Sequence, residues 1–273
     1  MRYINLNAVI DSIPQGIRDN LQAVDQTMTV MNDADKQTTA DAGNVHWRPV
    51  KRYLEDASHR KCWYTESKNP GCLNDVEHFR PKAKVTDGNG NVVQWYWFLA
   101  FNPSNYRLSS QLSNRLNINA VLGATGGKDT RFPLFPGSIR AIDLAGLVAE
   151  QPVILDPCSE ADTELLEFQP DGRPVLSMRH AGDPAARDKV EQSKLLLNLD
   201  YPTFNEDRES LYNTIKMIIE RGDRYIRDGI PAIDDVKNDL RDMMSPDAAY
   251  SKAAECYIRC FRDRTWVEEL ILP

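Results

Sequence analysis

The sequence is poor in the features that mark several large protein classes. Five cysteines in 273 residues are too few, and odd in number, for a disulfide framework, and they fit a reducing compartment. Because no run of about 18 apolar residues occurs, we expect no transmembrane helix. The first residues lack the apolar block and small-residue cleavage site of a secretory signal. These features predict a soluble, cytoplasmic protein.

A Gly-rich phosphate loop of the Gly-Lys-Ser/Thr type is also missing from the sequence. Such a loop holds the phosphates of a bound nucleotide through backbone N–H groups and a lysine. We therefore expect any nucleotide-dependent control of this protein to come from another chain.

The acidic net charge of −7 argues at first against a nucleic-acid partner. The charge is uneven, however: residues 51–131 contain 12 Lys or Arg and 7 Asp or Glu, which leaves 21 and 33 for the rest of the chain. A basic segment in an acidic chain can attract phosphates locally, although chance clustering on a solvated surface gives the same count. The charge pattern permits nucleic-acid binding and does not establish it.

The hydrophobic pattern predicts an α+β fold with a small mixed centre and a helical C-terminal lobe. We expect three segments: residues 1–45, a helix and a loop; residues 46–180, the core with a loop-rich extension; and residues 181–273, the helical lobe. The spacing predicts helices over residues 17–31, 47–59, 104–117, 185–197, 205–227, 233–243 and 247–262, and a loop over the polar residues 32–44. It predicts strands at 76–79, 152–155 and 165–168, a turn at Asn69-Pro70-Gly71, and a hairpin around residues 87–91.

Three polar sites are candidates for the catalytic residues of phosphodiester hydrolysis: Glu77-His78, Asn105 and Asn114. Hydrolysis of a phosphodiester needs a base that activates water and a cation that stabilises the charged transition state. A neutral histidine can serve as the base, and carboxylate and amide oxygens suit Mg²⁺ or Mn²⁺.

Each of these residues also has a simpler explanation. A histidine after a strand is usually packed or exposed, Asn105 can cap a helix, and Asn114 can face solvent. None of the three is specific by itself. Their combination in this order is more informative.

The combination resembles the HNH (ββα-metal) endonucleases, whose pattern is an acidic residue with His, then Asn-Leu, then a terminal His or Asn. Asn105-Tyr106 stands at the Asn-Leu position, and Asn114 follows nine residues after Asn105. More narrowly, five stretches look like the HNH subunit of Septu and retron-linked anti-phage systems, over residues 46–200. They are Cys62-Trp63-Tyr64-Thr65-Glu66, Glu77-His78-Phe79-Arg80-Pro81-Lys82, Tyr96-Trp97-Phe98-Leu99-Ala100, Phe132-Pro133-Leu134 and the run from Pro152 to Pro157.

The resemblance implies a small ββα-metal core in the mostly helical chain, and a role for each site residue. His78 is the implied general base, Glu77 and Asn114 are implied ligands of Mg²⁺ or Mn²⁺, and Asn105 orients the His78 loop. Three basic residues are expected to contact nucleic-acid phosphates: Arg80, Lys82 and Arg115. Alone, such residues are more often surface charges.

The sequence departs from the wider superfamily at the positions that bind structural zinc. Those positions map onto Cys62, Thr65, Ser110 and Ser113, so one thiolate remains. A closed zinc site needs four nitrogen or sulfur ligands, and we therefore expect no structural zinc.

The resemblance implies a metal-dependent DNA endonuclease in anti-phage defence, with an ABC-type ATPase as partner. The acidic helices after residue 184 are our candidate docking surface for that partner. Two alternatives stay open: a catalytically inactive subunit that binds nucleic acid or a partner, and an RNA-cleaving toxin with the same centre. The sequence does not show whether the substrate is DNA or RNA, because both are cut by the same hydrolysis of a phosphodiester.

Overall fold

The computed structural model describes residues 1–69 and 71–271. Pro70 of the expected turn at residues 69–71, and the last two residues of the segment 181–273, lie outside the described residues.

Helices form the N-terminal part of the fold. They are α1 (Leu6–Ser12), α2 (Gln15–Met28), α3 (Asp33–Ala42), α4 (Asn44–Trp47) and α5 (Lys51–Ala57), with a 3-10 turn at Arg48–Val50 between the last two. The helices predicted over residues 17–31 and 47–59 are confirmed, the second as α4, the 3-10 turn and α5. One apolar cluster buries their inner faces, including Leu21, Trp47 and Leu54.

Helix α3 corrects the prediction of a loop over residues 32–44. Its apolar periodicity is weak, but its N-terminus is well capped, since the Asn32 side chain accepts the backbone N–H of Asp35 at 2.9 Å. Asp33 and Asp35 lie in the first turn, where carboxylates interact favourably with the helix dipole. Ala40 is fully buried. Local capping and one small buried residue thus form a helix that hydrophobic spacing alone does not reveal.

The described strands form antiparallel pairs of two strands each. The pairs are β1 (Asp75–His78) with β4 (Tyr106–Ser109), β2 (Val85–Thr86) with β3 (Val92–Val93), β5 (Asn117–Asn119) with β6 (Ala124–Gly126), and β7 (Leu166–Phe168) with β8 (Pro174–Leu176). The hairpin around residues 87–91 and the strands predicted at 76–79 and 165–168 are confirmed. The α+β class is confirmed as well.

The helix predicted over residues 104–117 is wrong for most of its length. Strand β4 occupies its first half, and α6 (Gln111–Asn114) is a single turn. All four residues of β4 are buried, and its backbone is paired with β1. The fourfold leucine spacing is coincidental, because Leu108 lies in the core of this pair while Leu116 is exposed.

The strand predicted over residues 152–155 is also wrong. These residues form an isolated bridge from Pro152 to Leu134 and otherwise run as a buried irregular segment. Ile154 and Leu155 are fully buried, and the Leu155 N–H donates to the Ser193 hydroxyl at 2.8 Å. The apolar run therefore reflects burial between other elements and not strand pairing.

Helices dominate the chain after residue 159. They are α7 (Glu160–Glu164), α8 (Pro184–Leu196), α9 (Pro202–Arg227), α10 (Ile233–Met244), α11 (Ser251–Arg259) and α12 (Thr265–Ile271). The four predicted C-terminal helices are confirmed as α8 to α11, within a few residues at their ends. Their apolar faces share one core with Cys62 and Tyr64. Among the described residues, no helix is both long and apolar enough to cross a membrane.

Glu66 connects the C-terminal helices to the core. Its backbone has a φ of +60°, and its carbonyl accepts the N–H of Tyr250 at 3.2 Å. Its carboxylate accepts the N–H of Lys252 at 2.8 Å, in the first turn of α11. Because Tyr250 provides no side-chain cap, Glu66 acts as the cap of α11 from nearly 200 residues away.

We expect Glu66→Ala to lower the free energy of unfolding by about 1–2 kcal/mol, because the first turn of α11 loses its cap. Urea denaturation measures this change. Glu191→Ala is the matched control: its carboxylate is exposed and pairs with Lys194 within one helix, so its effect should stay below about 0.5 kcal/mol. Equal effects of the two substitutions would show that Glu66 does not cap α11.

Candidate active site

The pairing of β1 with β4 determines where the predicted site residues lie. Glu77 is opposite Arg107, and His78 is opposite Tyr106 at the end of the pair. Helix α6 follows β4 directly, so Asn114 returns beside β1. The sequence supports this arrangement, since the Ser110 hydroxyl caps α6 by accepting the N–H of Ser113 at 3.2 Å.

Asn105 holds the chain that follows His78. Its side-chain oxygen accepts the N–H of Arg80, and its side-chain nitrogen donates to the carbonyl of the same residue, both at 2.8 Å. The nitrogen also donates to the Leu99 carbonyl at 3.3 Å, and the Asn105 backbone carbonyl accepts the N–H of Phe79 at 2.8 Å. Asparagine supplies one acceptor and two donors in a single plane, which these backbone groups use fully.

His78 is held in one tautomer by a backbone carbonyl. Its Nε2 lies 2.9 Å from the Ala100 oxygen, and because a carbonyl only accepts, Nε2 carries the proton. The other ring nitrogen, Nδ1, then has the free lone pair, and no described residue is hydrogen-bonded to it. Trp47 and Tyr106 contact the ring edge-to-face, with centroids 4.8 and 5.0 Å away, and fix its orientation.

Burial also sets the charge of His78. The pKa of His78 is lowered from 6.5 to about 3, first by desolvation and then by the charges of Lys82 and Lys128, and the opposing hydrogen bond to Ala100 does not offset this. The imidazole is therefore neutral at physiological pH. A neutral ring with a free Nδ1 is the form that can accept a proton.

A cavity of about 450 Å³ opens beside these residues. His78, Glu77 and Asn114 all line it, so three of the four polar residues singled out in the sequence share one space. Lys82 and Lys84 also line it. Asn105 does not line the cavity, and it holds the backbone of Arg80, two residues after His78.

Glu77 is almost fully enclosed, with 3% of its surface exposed. Its Oε2 accepts the Tyr64 hydroxyl at 2.9 Å, and its Oε1 contacts the Lys128 ammonium group in an ion pair. The Tyr64 pKa is raised well above its ordinary value, first by burial and then by the charge of Glu77. Both carboxylate oxygens are thus engaged by protein groups.

Asn114 and Arg115 meet the same carboxylate. The Asn114 amide nitrogen donates to Asp75 at 3.1 Å, and the Arg115 guanidinium group contacts both Asp75 oxygens at 3.2 Å. The side-chain oxygen of Asn114 has no donor among the described residues. Arg115 remains 60% exposed, as a phosphate contact would require.

The two basic residues after His78 differ in their surroundings. Lys82 lines the cavity, and its ammonium group donates to the Ala40 carbonyl at 2.7 Å. Arg80 does not line the cavity: its guanidinium group pairs with the fully buried carboxylate of Glu150 at 2.6 Å. This geometry argues against the predicted phosphate contact of Arg80, because its charge is already neutralised in the interior.

Of the four positions that the resemblance maps onto zinc ligands, three lie close together. The Cys62 sulfur accepts the N–H of Ser110 at 3.2 Å, and the Ser110 and Ser113 hydroxyls are 3.1 Å apart. Thr65 bonds instead to the Ser67 hydroxyl at 2.8 Å. No group of three or more His, Cys, Asp or Glu side chains within residues 1–69 and 71–271 is arranged to hold a metal ion.

Sequence reasoning missed two groups that control this site. Lys128 lies 50 residues after His78, two residues beyond the end of β6, and no spacing rule links it to Glu77. The Ala100 carbonyl is a backbone group, which a residue pattern does not identify. Tyr64 belongs to a quoted motif, but its contact with Glu77 was not predicted.

A larger cavity of about 710 Å³ lies elsewhere, beside Glu55, His59, Arg60 and Lys68. None of the predicted site residues lines it. Its size therefore does not decide the location of the site, whereas the polar groups around the smaller cavity do.

Comparison with known proteins gives one informative similarity. The chain is 32% identical over 126 residues to Septu protein PtuB of Bacillus mycoides (strain KBAB4). The aligned part is 45% of this chain and 39% of that protein, so the similarity spans about two fifths of the relative. No protein-family model matches the chain.

We expect Asn105→Ala to lower the free energy of unfolding by about 3 kcal/mol, because it leaves the backbone N–H and carbonyl of Arg80 without partners and removes a third bond, to the Leu99 carbonyl. Asn102→Ala is the control, since it removes a single capping bond to the N–H of Ser104 and should cost about 1 kcal/mol. Urea unfolding of both variants tests this. A loss for Asn105→Ala no greater than for Asn102→Ala would contradict the role of Asn105.

The lowered pKa of His78 predicts a pH-dependent stability. The unfolded chain takes up a proton near pH 6.5, while the folded chain resists it until about pH 3, so stability is lost as the pH falls through this interval. The maximal slope from one such group is about 1.4 kcal/mol per pH unit. The difference in unfolding free energy between wild type and His78→Gln should show this slope. The same pH dependence in both proteins would contradict the lowered pKa of His78.

Proposed function

We propose that this protein is a metal-dependent HNH endonuclease that hydrolyses phosphodiester bonds of DNA in anti-phage defence, with His78 as general base. The similarity to Septu protein PtuB supports the defence role. The geometry of His78 is the observation that carries the chemistry.

The tautomer and orientation of the proposed base are fixed before any substrate arrives. The proton on Nε2 is held by Ala100, and Nδ1 is the free acceptor on a residue that lines the cavity. In the proposed reaction Nδ1 takes a proton from water while the water oxygen bonds to phosphorus. The bond to the leaving oxygen breaks, and that oxygen takes a proton from solvent. A phosphate beside the ring raises the proton affinity of the imidazole, because an adjacent anion favours its charged form.

The basic residues around the cavity supply the attraction for the nucleic-acid backbone. Lys82 and Lys84 line the cavity, and Arg115 is exposed beside Asn114. We propose these three residues as phosphate contacts. Arg80 contributes indirectly, since its ion pair with Glu150 anchors the segment that Asn105 holds.

The residues that would hold Mg²⁺ or Mn²⁺ fit only in part. Asn114 lines the cavity and has a side-chain oxygen without a donor among the described residues, whereas both oxygens of Glu77 are engaged. A divalent cation, when bound, supplies charge neutralisation at the phosphate. We keep metal dependence as part of the proposal and assign no step of the reaction to it.

We also propose an ABC-type ATPase as partner, as the resemblance implies. The acidic helices after residue 184 are the candidate surface, and Asp234 and Asp235 in the first turn of α10 are exposed there. The C-terminal helices share a core with Tyr64, so removing them would expose that core.

The test is cleavage by purified protein, with plasmid, single-stranded DNA and total RNA digested in parallel, in Mg²⁺, in Mn²⁺ and with a chelator. We expect cleavage of DNA that the chelator abolishes and that His78→Ala lowers by a factor of about 10² or more. His59→Ala is the matched control, because His59 is exposed at the other cavity.

Thermal unfolding of each variant confirms that it is folded. Wild-type rates in a folded His78→Ala protein would remove His78 as base. Cleavage of RNA alone would favour the toxin alternative. Absence of cleavage in every condition, with retained DNA binding, would favour an inactive binding subunit.

A further inference from the structure

We propose that Glu77 is a positioning residue, bound in a buried ion pair with Lys128, and not a ligand of a divalent cation. This inference rests on the proposed function in one respect, the role of His78 as base. It also gives a role to Lys128, which the sequence pattern did not indicate: Lys128 supports the end of β1 that carries His78.

Both residues of the ion pair are almost fully buried. Glu77 is 3% and Lys128 1% exposed, and neighbouring Tyr64 is 1% exposed. The ammonium group contacts Glu77 Oε1, and the Tyr64 hydroxyl donates to Oε2. The position next to the carboxylate that a cation would need is therefore already filled by a positive charge.

Lys128 also acts on the backbone of the proposed base. Its ammonium group donates to the His78 carbonyl at 2.9 Å, in addition to the contact with Glu77. One buried charge thus joins the side chain of Glu77 to the main chain of the next residue. This second bond fixes the strand end from which the imidazole projects.

The chain around Lys128 is built to deliver it to this place. The N–H of Lys128 donates to the Ser113 carbonyl at 2.8 Å, and the N–H of Asp129 donates to the Asn114 carbonyl at 2.7 Å. Gly127 has a φ of +94°, and a Cβ there would lie 1.8 Å from the Arg115 carbonyl oxygen. Only glycine permits this close approach of the turn to α6.

Binding a cation at Glu77 would require breaking this pair. The displaced ammonium group of Lys128 would then be left in the interior without its counter-charge, and an unpaired buried charge is strongly unfavourable. The stable arrangement is therefore Glu77 with Lys128. Any cation in the cavity must use other oxygen atoms, such as that of Asn114.

A double-mutant cycle tests the pairing without relying on activity. The substitutions are Glu77→Gln, which keeps an acceptor for Tyr64, and Lys128→Met, which keeps an unbranched chain. Each single variant leaves one buried charge unpaired and should lower the Tm by about 10 °C. The double variant should return to within about 4 °C of wild type. The same cycle on the surface pair Lys237 and Glu269 is the control and should show almost no coupling.

Additive losses in the buried cycle would overturn the inference. A second readout is the affinity for Mn²⁺, measured by titration of the metal alone. The double variant should match wild type within about twofold. A loss of tenfold or more on removing the carboxylate would identify Glu77 as a ligand and overturn the inference.

The positioning role has its own signature in the imidazole of His78. Nitrogen NMR of wild type should show the Nε2–H tautomer, with resonances assigned by their loss in His78→Ala. Folded Lys128→Met should shift these resonances, whereas Lys237→Met should not; unchanged resonances in Lys128→Met would refute positioning through Lys128. If His78→Ala keeps wild-type cleavage, the proposed function fails, but the unfolding cycle still decides whether Glu77 and Lys128 are paired.

Discussion

The antiparallel pairing of β1 with β4 is the constraint on which the candidate site depends. It places His78 at the end of a buried strand pair, where the ring is enclosed by Trp47 and Tyr106 and its Nε2 reaches the Ala100 carbonyl. A shift of this register by one residue would turn His78 to the opposite face. Asn105 ends the pair by binding the backbone of Arg80, so the loop after His78 has one conformation.

Distant parts of the chain support this small centre. The Asn198 side chain donates to the Leu112 carbonyl in α6 at 2.7 Å and accepts from Asn119 at 3.1 Å. Glu66 caps α11, and Cys62 lies in the same apolar core as the C-terminal helices. The segment after residue 184 thus helps to hold α6 and residues 62–66 in place. For this reason a four-residue helix, too short to be stable alone, keeps a defined position.

The positions that the resemblance maps onto zinc ligands are held together by other interactions. Cys62, Ser110 and Ser113 are joined by hydrogen bonds, and the fully buried Trp63 donates its indole N–H to the Leu54 carbonyl at 3.1 Å. Hydrogen bonds and aromatic packing thus connect residues 62–66 to β4 and α6. The ion pair of Glu77 and Lys128 is a further contact that holds the same strand pair.

Much of the local structure was predictable because it follows from neighbouring residues. The long C-terminal helices have a strong 3.6-residue period, and Asp87-Gly88-Asn89-Gly90-Asn91 is a turn signal that determines its hairpin. Helix α3 was missed, since capping by Asn32 matters more there than periodicity. The pattern predicts a helix where β4 forms, since its four buried residues show neither the alternation of a half-buried strand nor a helical repeat. Its partner strand also lies about 30 residues earlier.

The sequence by itself determined which side chains are available: one His-containing motif, two asparagines at a nine-residue spacing, and a basic segment in an acidic chain. It did not determine which nitrogen of His78 is free, which charge neutralises Glu77, or whether Arg80 faces the cavity. Tertiary structure decided these points, because each depends on a group that is remote in the chain: Ala100, Lys128 and Glu150. Burial makes such contacts decisive, since a charge or hydrogen-bonding group removed from water must find its partner within the protein.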